Sequence, residues 1–108
     1  MLTKHLEEVV KPCWNYAGRI TTEAEHWSNA GLGLAGEAGE TADAIKKMLF
    51  HTAKPDKYEV WRHNLKLELA DVLFYWLRIA SFAGLTPEEI IEANREKLTG
   101  RHPECLPV

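Results

Sequence analysis

The chain has 108 residues, 45% of them hydrophobic and 27% charged, with a formal net charge of −3. That suffices for one packed domain spanning 1–108 and excludes a disordered chain; the acidic balance argues against a nucleic-acid polymer as partner, since that needs a basic face. No apolar run approaches the roughly 20 residues needed to span a bilayer, and Met1–Glu8 lacks the apolar core of a signal peptide, so the expected setting is cytoplasmic, with no membrane.

From about Thr3 to Ala17, Leu6, Val9, Val10, Cys13 and Trp14 recur at near-helical spacing. Thr3 can cap this helix, and Pro12 inside the pattern makes it kink or restart. Cys13 and Cys105 form no CxxC and have no histidine at zinc-like spacing, so they read as reduced thiols rather than a disulfide. Gly18 to Glu25 reads as a connection whose Thr21 and Thr22 can cap the next helix.

A long helix is expected from about Trp27 to Phe50. Gly31, Gly33, Gly36 and Gly39 work against it, each costing about 1 kcal/mol relative to Ala. Such a helix usually gains from the close approach of another helix or a ligand. His51 to Lys57, with Pro55, is a polar connection. The third helix, about Lys57 to Ala83, is expected to be the longest. Trp61, Leu65, Val72, Trp76, Ile79 and Ala83 form one stripe, widened by Leu69, Leu73, Phe74 and Ala80. Gly84 stops it. Thr86-Pro87-Glu88-Glu89 is a capping box with Pro at the first helical position, opening a last helix that ends at Gly100. The tail from Arg101 is expected to be irregular. No stretch reads as a strand. The expected fold is all-α, a bundle of about four helices.

Two acidic pairs carry the chemistry. Glu37 and Glu40 stand three residues apart among small residues, one turn from each other on a helix. Glu68 and Asp71 repeat that spacing inside the most apolar segment, where carboxylates are costly unless something positive meets them. The 27 residues between Glu40 and Glu68 allow a helix, a turn and an antiparallel return. Together the pairs suggest one four-carboxylate site for a hard divalent cation bound through oxygen, and without them the remaining charge is slightly positive. A single pair of this kind is ordinarily a solvated face. A di-iron bundle would need two Glu-x-x-His motifs, and the chain has one such spacing, Glu23 to His26. Lys46 and Lys47 suit either a phosphate or the helix C-terminus. Tyr75 is either core or a hydroxyl offered to substrate. Asn94, Lys97 and Arg101 form either a phosphate-directed edge or plain surface.

Gly-Leu-Ala-Gly-Glu-Ala-Gly-Glu (33–40), Glu-Leu-Ala-Asp-Val-Leu-Phe-Tyr (68–75) and Asn-Arg-Glu-Lys-Leu-Thr-Gly-Arg-His-Pro (94–103) together resemble the MazG-like nucleotide pyrophosphohydrolases. The match runs from about Asn29 to Pro103. It departs at Ala70, where many relatives have Gly, and at His102, where many have Tyr. The resemblance implies hydrolysis of a nucleoside triphosphate between its α and β phosphates, giving a monophosphate and pyrophosphate with Mg²⁺, for which Mn²⁺ can substitute. It implies Glu37, Glu40, Glu68 and Asp71 as metal ligands; by the chemistry of such a site, a carboxylate the metal leaves free, Glu37 or Glu40, is the expected catalytic group that takes the proton of the attacking water. Asn29, Lys47, Tyr75, Asn94, Lys97 and Arg101 stand where relatives contact substrate. The alternative from another class is a non-catalytic helical module for nucleotide sensing or protein interaction. The breadth of the third helix's apolar surface leads us to expect a homo-oligomer, a homodimer or homotetramer.

Overall fold

The structure is a computed structural model that describes residues 1–14, 18–50, 57–102 and 104. It is all-α, with no strand among the described residues. The first helical segment runs as α1 (Leu2–His5), a π-helical turn (Leu6–Val10) and α2 (Lys11–Cys13). Two long helices follow, α3 (Glu23–Phe50) and α4 (Tyr58–Phe82), and then α5 (Pro87–Arg101).

The helical path continues through the proline. The wide π-turn comes just before it, with the Lys11 amide donating to the Leu6 carbonyl, and Pro12 sits in the first turn of α2, where its missing N–H is not needed. The expected end at Ala17 lies outside the described residues. α3 begins a turn earlier than the apolar pattern indicates. The Thr22 hydroxyl accepts from the Glu25 amide (3.1 Å) and donates to its carboxylate (2.9 Å), so the cap fixes the start. With 28 residues against 25, α3 rather than α4 is the longest helix.

α4 ends at a left-handed Gly84 (φ 72°), with the Leu85 amide donating to Ala80 and the Gly84 amide to Ser81. At α5 the Glu89 amide donates to the Thr86 hydroxyl (3.1 Å) and the Thr86 amide to the Glu89 carboxylate (2.7 Å). Gly100 does not stop α5. It lacks a positive φ, and the helix runs on to Arg101 before His102, which precedes a proline, leaves the helical region.

α3 and α4 pack against each other along their length. Gly33 meets Tyr75 and Asn29 meets Arg78, so the pair is antiparallel. The buried cluster lies where the first segment crosses α4: Leu6, Val10 and Leu77, flanked by Trp14, Leu73, Phe74 and Trp76. α5 turns 102° from α4 and meets α1, where the Thr3 hydroxyl donates to the Glu88 carboxylate (2.7 Å). No single helix among the described residues is long and apolar enough to cross a membrane.

Candidate metal centre

The antiparallel packing of α3 on α4 brings three carboxylates together. One oxygen each from Glu37, Glu68 and Asp71 lie within 4.8 Å of one another. Glu68 and Asp71 share a face of α4 by their three-residue spacing. Glu37 and Glu68 are half-buried, and Asp71 is exposed. The Glu37 carboxyl is pushed above its ordinary value of 4.5, chiefly by its removal from water and then by the charges of Asp71 and Glu68. A hydrogen bond donated to Glu68 by protonated Glu37 adds to the rise, as does the Glu40 charge. Three hard oxygen donors that repel one another fit a divalent cation of the Mg²⁺ or Ca²⁺ type, and softer metals would want N or S ligands.

Glu40 is not in that trio. It is three residues from Glu37, which turns its side chain about 60° round the helix, and it lines an adjoining open cleft of about 150 Å³. Asp43, Lys47, Trp61, Asn64 and Glu68 line the same cleft. The Lys47 ammonium pairs with Asp43 at 2.9 Å, one turn back on α3. That pairing raises the Lys47 pKa and lowers that of Asp43.

The remaining residues singled out from the sequence fall into two groups. Asn29 and Tyr75 are half-buried on the same α3–α4 seam as the trio. Gly33 explains how the seam closes there: a Cβ at that position would stand 2.2 Å from the Tyr75 ring. The other three helical glycines, Gly31, Gly36 and Gly39, have open space at the Cβ position. Asn94, Lys97 and Arg101 are exposed on α5. By helix rise, Asp71 lies about 16 Å before the α4–α5 corner and Lys97 about 15 Å beyond it. With the axes 102° apart, Lys97 is roughly 20 Å from the Asp71 backbone, beyond the reach of its side chain.

Sequence reasoning missed Arg78. It is 0% exposed and donates from Nη1 to Asn29 Oδ1 at 2.6 Å. The signal was a lone charge inside the run Leu77-Arg78-Ile79.

A family model described as the MazG nucleotide pyrophosphohydrolase domain matches residues 27–106. Neither the search of curated proteins nor that of solved structures gave a match.

Proposed function

The chain belongs to the MazG nucleotide pyrophosphohydrolase family, and on that premise we propose that it is a Mg²⁺-dependent hydrolase of nucleoside triphosphates, ribo or deoxy. It cleaves between the α and β phosphates to give the monophosphate and pyrophosphate, in a housecleaning role for the cytoplasmic nucleotide pool. The observation that carries the reading is the convergence of Glu37, Glu68 and Asp71 within 4.8 Å. These three would hold the ion, with Glu40 joining from the edge of the cleft, and Mn²⁺ can take the place of Mg²⁺. When bound, such an ion neutralises triphosphate charge and makes a coordinated water more acidic.

The chain's own residues do the rest. Glu40, whose oxygens stand outside the trio, accepts the proton of the attacking water. Glu37, one turn before it on the same helix, is the other carboxylate that can take that proton. Lys47 exchanges Asp43 for a phosphate oxygen, a switch between two charge-assisted contacts of similar strength. Asn29 and Tyr75 flank the seam where the nucleoside end lies.

Lys97 stands roughly 20 Å from the Asp71 backbone, so we assign it, with its α5 neighbours Asn94 and Arg101, to the phosphates bound by a neighbouring copy in a homodimer or homotetramer. The exposed surface supports assembly. Phe50, Leu32 and Leu49 are 77%, 74% and 64% exposed. The accessible surface is 8023 Å², where a folded monomer of this mass exposes about 6,100 Å².

The test is product analysis with Mg²⁺ over a panel of canonical and modified triphosphates. Equimolar monophosphate and pyrophosphate from at least one member is the expected outcome. Nucleotide binding without turnover of any member would favour the sensing module instead.

A further inference from the structure

Arg78 is the one buried charged side chain among the described residues. Burying a guanidinium is costly, and an apolar side chain of similar volume would avoid the cost. What the guanidinium supplies is a fixed hydrogen-bond donor. Its carbon lies 5.5 Å from the ring centres of Phe74 and Tyr75 and 5.7 Å from that of Phe82, which restrict its motion. Nη1 then meets the Asn29 side chain at 2.6 Å. A guanidinium has only donors, so the amide atom facing it must be the carbonyl oxygen, and the Asn29 NH₂ must face the other way.

The position of this pair gives that polarity a use. Asn29 precedes Glu37 by eight residues, about 12 Å of helix. Gly33 and Tyr75 lie between the pair and the acidic trio. That span resembles the separation of a nucleotide's phosphates from the far edge of its base.

Resting on the nucleotide reading above, we propose that Arg78 is a positioning residue that fixes the polarity of Asn29. The Asn29 amide then offers the nucleoside end donors only. It binds a base edge presenting an acceptor, a ring nitrogen or carbonyl oxygen, and disfavours one presenting an amino group at that point. Arg78 touches no substrate and acts through Asn29.

The experiment measures dissociation constants for non-hydrolysable α,β-imido deoxynucleoside triphosphates of the four bases, with Mg²⁺. The proteins are wild type, Arg78→Lys, Asn29→Ala and the double variant, with thermal melts to check folding. Lysine keeps the charge but not the planar fork. Each single variant is expected to weaken the preferred nucleotide about tenfold, the loss of one hydrogen bond, and to narrow the spread among bases. The double variant is expected to bind no more weakly than Asn29→Ala alone. Asn29→Asp covers the case in which Arg78→Lys does not fold. It keeps an acceptor toward Arg78 and replaces both amide donors with an acceptor, so it should melt at least as high as wild type yet lose the preference for acceptor edges or turn it toward amino-bearing ones, whereas general repulsion of the triphosphate would weaken all four bases alike. The proposal is overturned if wild type binds but Arg78→Lys leaves base preference unchanged, if the losses multiply in the double variant, or if Asn29→Asp keeps the preference. A wild type that binds none of the four overturns the nucleotide reading and this inference with it.

Discussion

Replacing Glu37 with glutamine removes one charge from the acidic trio while keeping shape and a donor toward Glu68. With oxygens within 4.8 Å, each carboxylate pair repels by about 1 kcal/mol at the dielectric of water and about 3.5 kcal/mol at an effective value of 20. Asp71 is exposed, so the lower figure applies, and Glu37 takes part in two such pairs. Without metal, Glu37→Gln should therefore be more stable than wild type by about 1–2 kcal/mol, a rise of roughly 5–10 °C in Tm. The gain should depend on pH. Because the folded-state pKa of Glu37 lies above 4.5, the folded protein holds a proton the unfolded chain has released. Metal-free wild type therefore loses stability as pH rises from 4.5 through the folded value, and the variant does not. Saturating Mg²⁺ reverses the order, adding about 2.7 kcal/mol to wild type at 100 times Kd and much less to the variant. Melts followed by circular dichroism at one protomer concentration, with EDTA and with Mg²⁺, measure all of this. A Glu37→Gln protein less stable than wild type in EDTA, with a wild type indifferent to Mg²⁺, would refute the reasoning.

Gly33→Ala should cost about 1–3 kcal/mol, because the new Cβ meets the Tyr75 ring at 2.2 Å; Gly31→Ala, in open space, should gain up to about 1 kcal/mol. Urea titrations of both separate tight packing from intrinsic helix preference, and equal signs would contradict the seam described. Light scattering at micromolar concentration should return a multiple of the 12.3 kDa chain mass; a single-chain mass would remove the assignment of Lys97 and Arg101 to a neighbouring copy. Lys97→Ala mixed with an Asp71→Asn protein should recover turnover through hybrid sites that carry both intact residues, whereas sites built within one chain would recover none.

Local signals in the sequence carried much of the fold. The Thr86–Glu89 capping box, the Gly84 stop and the three-residue spacing of Glu68 and Asp71 each act within one turn of helix, and each appears as read. The first turn of α3 was missed because the apolar pattern begins later than the Thr22 cap. What depends on two helices meeting was less legible. Glu37 and Glu40 look alike in the motif, yet which of them faces α4 depends on the rotation of α3, which periodicity does not fix. Likewise four glycines look equivalent until Tyr75 is packed on Gly33 alone. Arg78 was hidden for the same reason: its partner Asn29 is 49 residues away, and an apolar count treats a lone arginine as noise. The direction of α5 is set by the corner at residues 83–86 rather than by the composition of either helix.

We propose that the Glu37, Glu68 and Asp71 cluster is where a metal-dependent cleavage occurs. Its most direct test is the rate of pyrophosphate release from the best triphosphate of the panel, compared between wild type and Asp71→Asn, with Mg²⁺ and with EDTA. Wild type should release pyrophosphate with Mg²⁺ and none in EDTA, and Asp71→Asn should lose at least roughly 100-fold with its Tm in EDTA undiminished. Equal rates with Mg²⁺ and EDTA, or full activity in Asp71→Asn, would contradict the proposal.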